Sequence, residues 1–310
     1  MPVFTDDTFV SCNGKSNIRV RRCSPDGAPK AIVQIAHGIA EHVERYDDFA
    51  RFLASNGFLV VANDHLGHGK SFASEEDKGF FGETGGWELA VGDMRKLYER
   101  THAEFPDLPY FLFGHSMGSF LTRTYLIKFR DGLTGAILSG TGQQPGIVVA
   151  GGKFMGQQEI KKHGARYKSE KLNNMAFGSY NKDFQPQRTV SDWLSRDEAV
   201  VDRYQADPLC GFIPSAGLFT DMMGGIAFNQ KPSNVARMKK DLPVYFMSGD
   251  NDPVGANGKG VMQAYQSFLK AGMTDVTMKL YHGGRHEMLN ELNKDEVYAD
   301  ILNWLNSKLE

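Results

Sequence analysis

The sequence predicts an α/β fold in which a mostly parallel central sheet is flanked by helices. Short, nearly continuous apolar runs alternate with longer amphipathic stretches, which is the pattern of a parallel sheet covered by helices. Each apolar run ends in Gly, Asp, Asn, His or Ser, as buried parallel strands do before a loop. The 310 residues are enough for one large domain with an insertion or for two smaller domains.

Six segments are predicted as strands. In chain order they are AIVQIAHG, FLVVANDH, YFLFGHS, GAILSGT, PVYFMSGD and VTMKLYHG. Three stripes of apolar residues at helical spacing predict helices whose apolar faces lie on the core. The stripes are Tyr46, Phe49, Ala50 and Leu53, then Val261, Ala264, Tyr265 and Phe268, and finally Val297, Ile301, Trp304 and Leu305.

The alternation stops between residues 141 and 233. This segment is rich in Gly, Gln, Lys and Met, and it contains short helical pieces such as SDWLSRDEAVVDRYQ. A structureless loop of that length is uncommon in a compact domain. We therefore predict that residues 141–233 form a helical cap on a core built from residues 1–140 and 234–310. We expect the cap at the carboxyl edge of the sheet, where open α/β folds bind ligands.

Composition and charge exclude several function classes. The formal net charge of −2 argues against nucleic-acid binding, which requires clustered Lys and Arg. The three cysteines, Cys12, Cys23 and Cys210, suggest neither a disulfide framework nor a zinc site. MPVFTDDTFV lacks the pattern of a signal peptide, and no window has about 18 consecutive apolar residues. We expect a cytoplasmic protein without a transmembrane segment, and the sequence leaves its oligomeric state open.

The segment FLFGHSMGSF places Ser116 between Gly114 and Gly118, after a buried strand and before a helical stretch. A tight strand–turn–helix leaves no room for Cβ atoms two residues from the serine, so small neighbours are required there. This context is that of a nucleophile elbow, which exposes the serine hydroxyl at the amino end of a helix. We predict that Ser116 is a nucleophile.

A serine nucleophile needs a base and an acid later in the chain. His163, His282 and His286 follow Ser116, and we favour His286 because a Gly-Gly pair can carry it over the sheet edge. Asp250 and Asp252 both lie at the strand end in PVYFMSGDNDPV, and we favour Asp252 to orient the imidazole.

The oxyanion hole needs two backbone N–H groups near the serine. We expect one donor from Met117, the residue after the nucleophile. The other is expected from Ile39, in the loop AHGIAEH that follows the first predicted parallel strand.

Several segments resemble the monoacylglycerol lipase and lysophospholipase branch of the α/β-hydrolases, also described as serine aminopeptidase-like hydrolases. They are AHGIAEHVERYDDFARFLASNGFLVVANDHLGHGKS, GHSMGS, SRDEAVVDRYQADPL, SGDNDPV and YHGGRHEMLNE. The resemblance implies a Ser116–Asp252–His286 triad, an oxyanion hole at Ile39 and Met117, and a helical cap over the acyl pocket. Alignment of Gly249 to Asp252 with the family's G-x-x-D settles the acid as Asp252. Leu66 stands where the family often has Arg.

The segment DHLGHGKS contains Asp64, His65 and His68, which could suggest a metal site. Their glycine-broken spacing fits no helical H-x-x-x-H arrangement, and ester hydrolysis by a serine needs no metal. We predict neither a metal nor a cofactor.

The predicted substrate is a small-molecule ester, and monoacylglycerol, lysophospholipid or a similar lipid ester is the first choice. Apolar residues of the insertion could cover an acyl chain, or they could form the small core of the cap itself. The candidates are Met155, Phe177, Phe212, Phe219 and Met222. Short-chain or aryl esters are the second choice, and amides or peptides the third. A non-catalytic ligand-binding protein of the same fold is the alternative from another class.

Overall fold

A central eight-stranded sheet organises the protein. The computed structural model describes residues 1–309, and every element below belongs to that range. The strands are β1 (Val3–Val10), β2 (Asn17–Ser24), β3 (Ala31–Ala36), β4 (Phe58–Asn63), β5 (Tyr110–His115), β6 (Gly135–Ser139), β7 (Val244–Gly249) and β8 (Val276–Tyr281).

The strand order across the sheet is β1-β2-β4-β3-β5-β6-β7-β8. The six strands from β4 to β8 in this order pair in parallel, whereas β1 pairs antiparallel with β2 and β2 antiparallel with β4. The predicted fold class and all six predicted strands are confirmed. The antiparallel pair β1 and β2 at one edge is absent from the sequence prediction.

Helices cover both faces of the sheet. In residues 1–309 they are α1 (Asp47–Ser55), α2 (Gly86–Glu104), α3 (Met117–Lys128), α4 (Gly146–His163), α5 (Glu170–Phe177), α6 (Glu198–Ala206), α7 (Ala216–Gln230), α8 (Pro232–Val235), α9 (Lys259–Lys270) and α10 (Lys294–Asn306). No helix in that range is both long and apolar enough to cross a bilayer.

Alternation along β5 shows how the two faces are filled. Phe111 and Phe113 pack with α1 and α10 on one face, whereas Tyr110 and Leu112 point to α2 and α3 on the other. Helix α9 packs on the same side as α3, against Phe246 of β7. The three predicted helical stripes thus lie on the core, as expected from their spacing.

Residues 141–233 run from the end of β6 to α8, and they contain helices α4 to α7 but no strand. Helix α7 is joined closely to the core, because Leu218, Phe219 and Ile226 belong to the same apolar cluster as α2 and α3. The buried Asn229 strengthens this contact. Its amide donates to the Phe120 carbonyl oxygen (2.7 Å), and its Oδ1 accepts from Thr124 Oγ1 (2.8 Å).

Asn229→Ala should lower the free energy of unfolding by about 2 kcal/mol, because it leaves buried polar groups of α3 without partners. Urea denaturation measures this change. Asn303→Ala, at an exposed position of α10, is the control and should change stability by less than about 0.5 kcal/mol. Equal stability of the two variants would contradict the role given to Asn229.

Candidate active site

The sharp turn between β5 and α3 is centred on Ser116. Its backbone dihedrals are φ 52° and ψ −122°, a combination that residues other than glycine rarely adopt. The Ser116 N–H donates to the Ser139 carbonyl oxygen of β6 (2.9 Å), and Ser119 Oγ donates to the Ser116 carbonyl oxygen (2.6 Å). These bonds hold the strained backbone in place, and that backbone presents the serine at the sheet edge.

The two glycines flanking Ser116 are required by close packing. A Cβ on Gly118 would collide with the carbonyl oxygens of Ala36 and His37, and one on Gly114 would collide with Thr122 and with Gly118. The steric argument made from the sequence is therefore confirmed. Gly38 also lies close to the turn, since a Cβ there would lie 3.1 Å from the Ser116 Cβ.

The two candidate acids and two of the candidate histidines form two separate pairs. His286 Nδ1 lies 2.9 Å from Asp252 Oδ2 and 3.0 Å from Oδ1, and both side chains are buried. His282 Nδ1 lies 3.0 Å from Asp250 Oδ2, but the His282 side chain is fully exposed. Asp250 also accepts the Gly283 N–H (2.7 Å), so it closes the turn that precedes His286. His163 lies at the exposed end of α4.

In the buried pair, Asp252 and His286 each favour the charged form of the other. Burial by itself would raise the pKa of Asp252, but His286 and the hydrogen bonds from Val254 N–H and Ser248 Oγ outweigh it, so the pKa lies below its usual range. Burial likewise opposes a charge on His286, and the Asp252 carboxylate outweighs it, so the histidine pKa lies above 6.5. Asp252 is therefore suited to stabilise an imidazolium at His286.

The other nitrogen of His286 is available for chemistry. His286 Nε2 is buried and has no hydrogen-bond partner within residues 1–309. His286 and Ser116 line the same cavity, which has a volume of about 380 Å³. His115 also lines this cavity, with its ring centroid 4.7 Å from that of His286. Burial lowers the pKa of His115 to about 4, so it is neutral near pH 7.

Ile39 and Met117, the predicted oxyanion donors, lie next to Ser116. Neither backbone N–H donates a hydrogen bond to any group in residues 1–309. Both residues line a second, apolar cavity of about 150 Å³ that also reaches Ser116. Met117 is the first residue of α3, where the amide has no acceptor within the helix. Two free amides thus border the nucleophile candidate.

The predicted substrate-contacting residues are divided among three places. Phe219, Met222 and Phe177 line the apolar cavity, and Phe177 also lines the larger one. Phe212 lines the larger cavity only. Met155 lines neither, and it packs instead against the apolar cluster under α7.

Sequence reasoning missed Trp193, which borders both cavities. Its ring centroid lies 5.0 Å from that of His286, and its carbonyl oxygen accepts the His286 N–H (3.4 Å). The residue lies in the segment SDWLSRD of the insertion, where a single aromatic gives no periodic signal. Only the folded position of the insertion reveals its contact with His286.

The histidines of DHLGHGKS lie beneath the loop that carries Ile39. His65 and His68 are fully buried beside His37, and burial lowers their pKa values to about 3 and about 4. The Asp64 carboxylate accepts the amides of Val43 and Lys70, both at 2.9 Å. Asp64 therefore joins the segments that carry Val43 and Lys70.

Within residues 1–309, one group of possible metal ligands occurs, at His42, Asp207 and Cys210. Their ligand atoms lie within 4.8 Å of one another, but His42 Nε2 is already bonded to Asp207 Oδ2 (2.8 Å). None of the three lines the cavities at Ser116.

Comparison with known proteins shows the family of the chain. Residues 27–293 match the family described as Serine aminopeptidase, S33. The chain belongs to this family. This α/β-hydrolase is 30% identical to the monoglyceride lipase of Mus musculus over 93% of the chain and 84% of that protein. It is 29% identical to the monoacylglycerol lipase of Mycolicibacterium smegmatis over 92% of the chain and 91% of that protein.

Solved structures of other proteins have the same fold as this chain. A highly thermostable carboxyl esterase from Bacillus coagulans, in complex with glycerol, superposes on this hydrolase with a TM-score of 0.93. The two chains are 30% identical, and the alignment covers 99% of each. The monoglyceride lipase of Saccharomyces cerevisiae has the same fold, with a TM-score of 0.77 at 19% identity over 99% of this chain and 95% of that one.

Proposed function

We propose that this carboxylic ester hydrolase cleaves monoacylglycerols, with Ser116 as nucleophile, His286 as general base and Asp252 as the carboxylate that orients the base. One observation carries the proposal. The His286 imidazole is bonded to Asp252 through Nδ1, its Nε2 is free, and His286 lines the same cavity as Ser116. This division of the two nitrogens matches the roles that a triad requires.

In the proposed reaction the Ser116 hydroxyl attacks the ester carbonyl carbon while His286 Nε2 accepts its proton. The tetrahedral intermediate collapses, the alkoxide leaves with the proton from His286, and the acyl group stays on Ser116. Water then attacks the acyl-enzyme, with its proton passing to His286. Collapse of the second intermediate returns that proton to Ser116 and releases the fatty acid.

The amides of Ile39 and Met117 are the proposed donors to the oxyanion formed in both steps. Both N–H groups are free of other acceptors, so no hydrogen bond has to break before they stabilise the negative charge. A backbone donor that is already in place needs no reorganisation in the transition state. Loss of one such donor in other hydrolases costs about 10² to 10³ in kcat.

The linings of the two cavities favour a substrate with a neutral alcohol group and an apolar acyl chain. The larger cavity is lined by polar side chains, including Asn173, Asn181 and Gln187, and by no Lys or Arg among residues 1–309. A phosphate-bearing lysophospholipid would find no cation there, whereas glycerol hydroxyls could bond to the amides. The similar Bacillus coagulans esterase was solved with glycerol. We assign the smaller cavity, lined by Phe120, Phe219 and other apolar groups, to the acyl chain.

We further propose that residues 141–233 act as the cap of this enzyme. Most of the apolar cavity's lining comes from this segment, including Val148, Met175 and Met222. The segment also supplies Trp193 beside His286. Substrate would therefore lie between the insertion and the residues at the sheet edge.

Ser116→Ala should lower kcat for monooctanoylglycerol by about 10⁴-fold or more, since the nucleophile is lost. The assay is the release of octanoic acid, with Ser267→Ala in α9 as a folded control that keeps wild-type kcat. Near-native hydrolysis by Ser116→Ala would show that another group performs the reaction.

The pH dependence should follow the ionisation of His286. The neutral imidazole is the base, and Asp252 raises its pKa, so kcat/KM should rise with pH to half its maximum above pH 6.5. Asp252→Asn removes the stabilising carboxylate and leaves the burial, so kcat should fall about 10³- to 10⁴-fold and the rise should move to lower pH.

The control for this profile is Asp250→Asn, which removes the carboxylate of the exposed His282 pair. It should keep the wild-type profile of kcat/KM, measured from about pH 5 to 9. Identical profiles for Asp252→Asn and Asp250→Asn would rule out the assigned acid.

Acyl-chain preference should respond to Gly152, which lies in α4 against the apolar cavity. A side chain there would enter the space beside Met223 and Phe219, whose nearest atoms lie 3.1 and 3.7 Å from the position that a Cβ would occupy. Gly152→Leu should lower the ratio of kcat/KM for p-nitrophenyl octanoate over acetate by about tenfold.

The neighbouring Gly151 is exposed and has open space around its Cβ position, so Gly151→Leu is the matched control. It should leave the octanoate-to-acetate ratio unchanged. A ratio that falls equally in both variants would argue against the acyl-chain assignment, and a wild-type preference for acetate would exclude a lipid substrate.

A further inference from the structure

Three charged side chains form a buried network next to the candidate active site. Arg45 Nη1 donates to Glu41 Oε2 (2.6 Å) and to Glu287 Oε1 (2.7 Å), and Arg45 Nη2 donates to Glu287 Oε2 (2.6 Å). The exposed fractions of the side chains are 11% for Arg45 and 4% for each glutamate. Burying such a group costs desolvation free energy that its pairing often only offsets, so stability alone is a weak reason for it.

Glu41 connects the network to the loop of the proposed oxyanion hole. Its Oε1 accepts the Gly38 N–H (2.5 Å) and the Tyr46 hydroxyl (2.8 Å). Gly38 precedes Ile39, so this bond orients the peptide next to the proposed oxyanion donor. Because Glu41 Oε2 is bonded to Arg45, the carboxylate cannot rotate without breaking that ion pair.

Glu287 connects the same network to the base. It follows His286 directly, its carboxylate accepts both terminal nitrogens of Arg45, and its N–H donates to the Leu194 carbonyl oxygen (2.8 Å). The His286 backbone is therefore held by Arg45 on one side, through Glu287, and by Leu194 of the insertion on the other. A two-bond contact with a planar guanidinium restricts orientation as well as distance.

The insertion also contacts Arg45. The ring of Tyr204 in α6 lies against the guanidinium, 4.8 Å from its centroid, and the Tyr204 hydroxyl donates to the Ala40 carbonyl oxygen (3.2 Å). Arg45 itself lines neither cavity at Ser116, so it does not reach the substrate. It therefore acts on the reaction through the groups that it holds and through its charge.

We propose that Arg45 is a positioning residue that fixes the Ile39 amide and the His286 imidazole relative to each other, through Glu41 and Glu287. This inference rests on the roles proposed above for Ile39 and His286. Displacement of such groups by about 1 Å can cost about 10²-fold in rate. Arg45 bonds to Glu41 on one side and to Glu287 on the other, so one side chain controls the distance between the Ile39 amide and the His286 imidazole.

The network also places charge near His286. The groups that face this imidazole are Asp252, Glu41, Glu287 and the neutral His115. Both glutamates favour the protonated imidazole, and the positive charge of Arg45 opposes it. Removal of Arg45 should therefore raise the His286 pKa, whereas neutralising Glu41 should lower it.

The test compares Arg45→Met, Arg45→Lys and Glu41→Gln with wild type, in octanoic acid release from monooctanoylglycerol across about pH 5 to 9. Arg45→Met should lower kcat about 100-fold with KM changed less than about threefold, and the rise of kcat/KM should move to higher pH. Arg45→Lys keeps the charge without the planar fork, so it should restore the pH profile and leave kcat about tenfold low. Glu41→Gln should lower kcat about tenfold and move the rise to lower pH.

The matched control is Arg21→Met, because Arg21 makes a similar two-bond pair with Asp47 between β2 and α1 (2.7 and 2.6 Å). It should keep the wild-type kcat and pH profile, whatever the loss of this ion pair does to the stability of the protein. If Arg45→Met does not fold, Glu41→Gln and Arg45→Lys decide. Folded variants with wild-type kcat and profile would overturn the positioning role, whereas an active Ser116→Ala would instead overturn the proposed function.

Discussion

The strained turn at Ser116 is the constraint on which the rest of the site depends. A non-glycine residue at φ 52° and ψ −122° persists only where its surroundings over-determine it. Here β6 holds the Ser116 amide, α3 holds its carbonyl oxygen, and glycines at 114 and 118 allow strand and helix to approach. The same turn leaves the Met117 amide free at the first position of α3. One local geometry thus provides both the proposed nucleophile and one proposed oxyanion donor.

The histidine side of the site depends on burial and pairing. Asp252 and His286 are both buried, and each favours the charged form of the other. The neighbouring Asp250–His282 pair has similar distance but lies in solvent, where screening makes such a pair weak. The difference explains why one of two adjacent Asp–His pairs is suited to catalysis. The insertion completes the enclosure by placing Trp193 against the imidazole.

Much of the fold was predictable because buried parallel strands are continuous apolar runs. Strand β1 escaped prediction because it is almost wholly exposed and rich in polar residues, so it gives no such run. Strand β2 escaped because three arginines interrupt its apolar residues. The proposed catalytic residues were predictable because chain order and strand ends limit the candidates to a few. Trp193 and Tyr204 were not, because their contacts depend on how the insertion folds over the sheet edge. The pairing of Arg45 with Glu287 was not predictable either, because it joins two residues 242 positions apart in the chain. Met155 illustrates the limit, since composition alone cannot tell a cavity wall from a packed interior.

The central claim is that this turn makes one hydroxyl in the chain reactive, through the free nitrogen of His286. The most direct measurement is peptide mapping by mass spectrometry after reaction with a fluorophosphonate. We expect a single adduct on Ser116, which disappears when His286 is replaced by alanine. An unmodified protein, or an adduct on a different residue, would contradict it.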